Sequence, residues 1–134
     1  RDENLDSRLE EATRGGHHWV VAQEYLEAAC EGDKRILLLD GQPLGAILRL
    51  HAEGVELNNL DQGGTAMACT LTERDRFICH SLSQDLVEYG VILAGIDVIG
   101  GMLIEVNITS PTGLQEMTRF DDRPYHEEII ASLE

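Results

Sequence analysis

Asp97, Glu105 and Asn107 are two carboxylates and a carboxamide at spacings that can bring three oxygen donors to one point. They fall in the run GIDVIGGMLIEVNITSPTG, from Gly95 to Gly113. Leu93 to Val98 reads as a buried strand, Gly100-Gly101 as a hairpin turn, and Met102 to Asn107 as the returning strand. Side chains alternate along a strand, so Glu105 and Asn107 share one face, while Ile104 and Val106 are expected to face the core. Asp97, on the partner strand, projects near the first two if the register is tight. Such a set is a hard oxygen site, suited to Mg²⁺ with Mn²⁺ as a substitute, and it leaves coordination positions for water and phosphate oxygens. No His or Cys adjoins it, which argues against zinc. A bare E-x-N more often decorates a solvated strand, so its weight depends on what surrounds it.

After Asn107 the chain runs through Ser110, Pro111, Thr112 and Gly113 into a helix expected over Leu114 to Phe120. Free amides at a helix start can receive a carboxylate or phosphate, although Ser, Thr and Pro there are also ordinary helix-start residues.

The elements that must hold these residues follow from pattern and punctuation. An acidic helix is expected from about Asp6 to Thr13, then a strand from Trp19 to Glu24. A strand from Lys34 to Leu39 turns at Asp40-Gly41 into another at Leu44 to Leu50. His51 to Leu71 has no periodicity and reads as a functional loop. Thr72 with Asp75 offers a capping box for a helix reaching Tyr89, with Phe77, Ile78, Leu82 and Leu86 as its core stripe. A final helix is expected from Pro124 to Leu133, with Pro at its first position. Antiparallel strands flanked by helices make an α+β fold, and 134 residues suit one domain.

Charge narrows the function classes. The chain carries 25 acidic and 10 basic residues, a net charge of −15, and Lys34 is its one lysine. A nucleic-acid partner is not expected from that balance, since phosphate neutralisation needs clustered Lys and Arg. An acidic, lysine-poor surface repels itself, and salt screens that repulsion. Added KCl should therefore raise the thermal midpoint; a flat or falling midpoint would count against this reading. No stretch is long and apolar enough for a transmembrane helix, and no signal peptide is visible, so no membrane partner and a cytoplasmic setting are expected. Cys30, Cys69 and Cys79 are odd in number and lack a C-x-x-C pair, which implies neither a disulfide framework nor a zinc site. His17, His18, His51, His80 and His126 show no ligand-like spacing, and no G-x-S-x-G accompanies them.

The Gly95 to Gly113 run resembles the last active-site motif of bacterial glutathione synthetases, ATP-grasp ligases that join γ-glutamylcysteine to glycine. AQEYLEAACEGDKRILLLDGQPLGAILRL, from Ala22 to Leu50, resembles their nucleotide-binding hinge and the hairpin after it, and NLDQGGTA, from Asn59 to Ala66, resembles their glycine-rich loop. The resemblance implies the C-terminal subdomain of an ATP-grasp fold, with ATP as substrate and Mg²⁺ on Asp97, Glu105 and Asn107. It places adenine against the backbone of Gln23, Glu24, Tyr25 and Leu26, and the ribose hydroxyls on Asp33. Arg35 and Arg49 match arginines aimed at the reacting phosphate, although each could equally be a solvated strand-face arginine. Asn59, Gly63 and Gly64 match the loop that covers the intermediate, and Ser110, Pro111, Thr112 and Gly113 match the substrate-side loop.

Leu57 and Thr65 stand where relatives carry basic residues in the glycine-rich loop, and Gly101 where an acidic residue often follows the turn. The lysines with which the family grips phosphates from its other half have no counterpart here. The chain opens on Arg1, and the resemblance implies the C-terminal segment of a longer, homotetrameric enzyme, inactive when isolated. Two alternatives stay open: another ATP-grasp carboxylate-amine ligase, and a nucleotide-binding module without turnover.

Overall fold

The computed structural model describes residues 4–50 and 65–133. Helix α1 (Leu5–Ala12) lies at the start with no buried residue. Strands β1 (Asp33–Leu39) and β2 (Gln42–Leu50) follow, then β3 (Thr65–Ala68), helix α2 (Glu73–Glu88), strands β4 (Leu93–Ile99) and β5 (Met102–Asn107), and helices α3 (Leu114–Asp121) and α4 (Tyr125–Ala131). The five strands form one antiparallel sheet in the order β3-β2-β1-β4-β5. This is the α+β arrangement expected from the sequence.

Alternation along β1 and β4 divides the sheet between two cores. Ile36, Leu38, Ile96 and Val98 pack with Ile78, Cys79 and Leu86 of α2 on one face. Leu37 and Ile47 pack with Met117 of α3 and Tyr125 on the other. β1 is buried on both faces because it lies at the centre of the sheet. Gly45 lets α3 and α4 approach, since a Cβ there would collide with Met117 and Tyr125.

Helix α2 begins on the expected capping box. Thr72 Oγ1 accepts from the Asp75 N–H at 3.1 Å, and Asp75 Oδ2 accepts from the Thr72 N–H at 2.8 Å. Lys34 Nζ donates to the same Asp75 oxygen and to the Thr70 carbonyl, tying the central strand to the helix start. Burial alone would raise the Asp75 pKa, but the Lys34 and Thr72 hydrogen bonds outweigh it and hold the carboxyl below its ordinary 3.8. A depressed folded-state pKa contributes stability above the unfolded value and loses it as pH falls through the folded one. At neutral pH, Asp75→Asn should therefore cost about 1–3 kcal/mol in chemical denaturation. The gap to the parent chain should close as pH drops below 3.8; a gap independent of pH would contradict this role.

Five expectations are corrected. The segment from His51 to Leu71, read as a loop, contains strand β3, which pairs antiparallel with the end of β2. Trp19 to Glu24 forms no strand; it is irregular and exposed, and a short 3-10 turn (Glu27–Glu31) links it to β1. Phe77 is exposed on α2 beneath Arg74, whose guanidinium carbon lies 5.3 Å from the ring centroid; the buried face is centred between Ile78 and Cys79, and at about 100° per residue Phe77 falls on the far side of the helix. Ile104 and Val106 are also exposed, because β5 is an edge strand. Pro124 is the cap before α4, not its first residue.

Candidate functional site

The hairpin register brings the expected metal ligands together. Asp97 of β4 pairs with Glu105 of β5, and Gly95 pairs with Asn107. Residues directly opposite in an antiparallel pair project to the same face. A bulge follows Asp97, where the register passes from Asp97↔Glu105 to Val98↔Leu103 and leaves Ile104 as the extra residue. That bulge keeps Glu105 beside Asp97 while Leu103 stays opposite Val98. Asn107 uses its Oδ1 to accept from the N–H groups of Thr109 at 3.1 Å and Ser110 at 3.3 Å, shaping the loop that follows.

The row continues across the sheet. Arg35 pairs with Asp97 on one side and Ile47 on the other, while Arg49 pairs with Asp33 one step along. Four charged side chains thereby meet on one sheet face, with Asp33, Arg35, Arg49 and Asp97 at 2, 5, 8 and 7% exposure. Arg35 donates Nε to Asp97 Oδ1 at 2.5 Å and Nη2 to Asp97 Oδ2 at 3.0 Å, a two-point fork. Arg49 donates Nη2 to Asp97 Oδ2 at 2.8 Å, and both Nε, at 2.9 Å, and Nη2 to Asp33 Oδ2. Buried charges persist only when paired, and this chain of alternating sign supplies the pairing.

Burial and the two carboxylates around Arg49 set the direction of the shifts. Burial disfavours the Arg49 charge, but Asp33 and Asp97 outweigh it and hold the guanidinium above its ordinary pKa. Burial also pushes the Asp33 carboxyl above 3.8, with the Asp97 charge adding to it and Arg49 pulling the other way.

The loop from Ser110 to Gly113, expected on the substrate side, abuts this cluster. The Thr112 carbonyl lies 3.4 Å from Arg35 Nη1, and Gly113, at φ 110°, caps α3 in a conformation that favours glycine. A Cβ at Gly95 would lie 2.7 Å from Pro111 Cβ, so that glycine lets the loop reach the strand. Ser110 and Thr112 are exposed and Pro111 is half-buried.

The segment expected to form the nucleotide hinge is a separate feature. A cavity of about 320 Å³ is lined by Glu24, Tyr25, Leu26, Ile99, Gly100 and Met102 among others. Gln23 is exposed in the chain leading into it. Among the described residues the Leu26 carbonyl accepts from the Ala29 N–H at 2.9 Å, while the Leu26 N–H and the Glu24 carbonyl have no backbone partner. Those are the two groups expected to read a purine edge. Ile99 and Met102 were missed by the sequence reading; the signal was present, because the hairpin tip that positions Asp97 also carries them. Asn59, Gly63 and Gly64 lie outside the described residues.

Mg²⁺ fits the donor set. Asp97 and Glu105 offer carboxylate oxygens from one registered pair, and Asn107 adds a carboxamide two residues on. Among the described residues no group of three His, Cys, Asp or Glu side chains could hold a metal, so a three-donor site at this row would have to include the Asn107 carboxamide.

Residues 1–122 match the family model described as the prokaryotic glutathione synthetase ATP-grasp domain. Glutathione synthetase from Thermosynechococcus vestitus is 46% identical over 132 residues, covering 98% of this chain and 42% of that protein. Glutathione synthetase from Mesorhizobium japonicum is 47% identical over 119 residues, covering 89% and 38%. The chain thus spans about two fifths of the length of these relatives. D-alanine–D-alanine ligase from Bacillus anthracis, solved in complex with ATP, superposes with a TM-score of 0.64 at 16% identity, covering 98% of this chain and 46% of that one. At that identity the likeness shows a shared fold.

Proposed function

The chain belongs to the prokaryotic glutathione synthetase ATP-grasp family, and from that membership we propose that it is the C-terminal ATP- and metal-binding segment of a ligase joining γ-glutamylcysteine to glycine. The observation that carries this reading is the row Arg35, Asp97, Glu105 across three adjacent strands, with Arg49 bonded into it. A module without chemistry has little use for two buried arginines held beside an all-oxygen metal set.

The reaction is a phosphoryl transfer followed by an acyl transfer. An oxygen of the dipeptide's cysteinyl carboxylate takes the γ-phosphoryl group of ATP, releasing ADP and leaving an acyl phosphate. The amine of glycine then attacks the activated carbonyl, the C–O bond to phosphate breaks, and inorganic phosphate and a proton leave.

In this reading the Glu24 carbonyl and Leu26 N–H, without backbone partners among the described residues, bind the adenine edge in the hinge cavity. Arg35 and Arg49 present fixed positive charge to the transferring phosphoryl group, where preorganised donors lower the barrier without reorganising. Ser110 to Gly113 receive the substrate carboxylate beside Arg35, and Asn59, Gly63 and Gly64 cover the intermediate. Mg²⁺, or Mn²⁺ in its place, held by Asp97, Glu105 and Asn107, would neutralise phosphate charge. A homotetramer in the cytoplasm belongs to the same reading.

Hydroxylamine trapping tests the chemistry. The longest native polypeptide containing this chain, given Mg-ATP and γ-glutamylcysteine without glycine, should form a dipeptide hydroxamate. Trapping with another acid would keep the ATP-grasp chemistry and change the substrate, whereas no hydroxamate with any acid would favour a binding module.

A further inference from the structure

The β4–β5 hairpin tip is tied down from outside the charged face of the sheet. Gly100 and Gly101 take φ 56° and 76°, which glycine adopts freely and leaves as freely, so the turn needs an external hold. Arg74, in the first turn of α2, supplies one: its Nε donates to the Gly101 carbonyl at 2.9 Å. Its aliphatic stem lies against the same residue, since a Cβ on Gly101 would come 3.1 Å from Arg74 Cγ. The guanidinium rests over the Phe77 ring and joins no salt bridge among the described residues. On its other side the tip meets the 3-10 turn, where a Cβ on Gly100 would lie 2.9 Å from Ala28 Cβ. Gly101 follows Gly100 and precedes Met102, and these two line the hinge cavity with Ile99. α2 packs on the sheet face of Ile36 and Ile96, whereas Arg35 and Asp97, adjacent to them in β1 and β4, project to the other. Any effect of Arg74 on the reacting groups therefore passes through the tip.

We propose that Arg74 is a positioning residue for nucleotide binding, whose hydrogen bond to the Gly101 carbonyl fixes the tip so that Ile99 and Met102 present a set surface to the adenine ring. The proposal rests on the reading of the hinge cavity as the adenine site. The Asp97↔Glu105 pair is separated from the tip by Val98↔Leu103 and Ile99↔Met102. The tie therefore acts on affinity for the nucleotide, equally in ground state and transition state, and leaves the chemical step alone.

Arg74→Met and Arg74→Gln test this in the full-length enzyme. Both side chains reach as far as the Nε position, and only glutamine carries an N–H there. Arg74 is exposed, so neither change threatens the fold. Arg74→Met should raise the KM for ATP and the inhibition constant of adenosine together by about 3- to 10-fold, the scale of one hydrogen bond, with kcat and the KM for glycine within about twofold of the parent. Arg74→Gln should bring both nucleotide constants back to within about twofold. A KM for ATP unmoved by Arg74→Met would overturn the proposal. Equal losses in the two variants would also overturn it, assigning the effect to the arginine charge, as would a loss for ATP without one for adenosine, which would place Arg74 on the phosphates. A matching rise in the KM for glycine would overturn it by making Arg74 a general support of the fold. Failure of adenosine to compete with ATP in the parent enzyme would instead sink the hinge reading itself, and the proposal with it.

Discussion

Glu105→Gln in the full-length enzyme should lower Mg²⁺-dependent ADP formation by at least about 100-fold, the rate equivalent of roughly 3 kcal/mol, while the unfolding midpoint barely moves. Glu105 is exposed on an edge strand and takes part in no salt bridge among the described residues. Its removal leaves no buried charge behind, and surface substitutions of that kind stay within about 0.5 kcal/mol. What it loses is one of two carboxylates in the donor set, and raised Mg²⁺ should recover part of the rate. Asn107→Ala is the less clean variant, because Asn107 also accepts from the Thr109 and Ser110 amides and so shapes the substrate loop. Steady-state rates over a Mg²⁺ titration, paired with thermal melts, read both effects. Near-normal turnover for Glu105→Gln would remove Glu105 from the metal site.

Asp97→Ala should act on both folding and turnover. Asp97 neutralises Arg35 through two hydrogen bonds and Arg49 through one, inside a site where none of the three exceeds 8% exposure. Taking it away strands one guanidinium and weakens the hold on the other, and breaking a buried pair from one side costs about 3–5 kcal/mol. Of the charged residues in the cluster it is the one bonded to both arginines. Urea unfolding of the parent and the variant measures the difference, and a loss below about 1 kcal/mol would mean that the cluster is solvated rather than buried.

The contrast between those two variants shows what the sequence could and could not say. That the two carboxylates share one face is legible from the hairpin alone, because Gly100-Gly101 sets the turn and the alternation sets the face. That Asp97 is also the keystone of a charge cluster is not legible, since it depends on Arg35 and Arg49 arriving from β1 and β2 with the register Arg35↔Asp97 and Asp33↔Arg49. The sequence reading aimed both arginines at phosphate without their buried partners, and placed Asp33 at a sugar without its bond to Arg49.

The errors in the fold have equally local causes. Trp19, Val20 and Val21 have the composition of a strand, but β-propensity measures packing against neighbours, and no strand pairs with them among the described residues. Ile104 and Val106 are apolar residues on an edge, and nothing in an isolated run of residues separates an edge strand from a central one. The buried stripe of α2 is centred between Ile78 and Cys79, which leaves Phe77 on the opposite side of the helix; Cys79 was the residue passed over. The capping box at Thr72 and Asp75 was read correctly because its hydrogen bonds span only three residues.

ADP release from Mg-ATP by the longest native polypeptide containing this chain tests the central claim most directly. It should require γ-glutamylcysteine and glycine together, with either alone giving little, and the product should be glutathione. Release that needs a different acid and amine, or none in the presence of both, would contradict the assignment of this chain to glutathione synthesis.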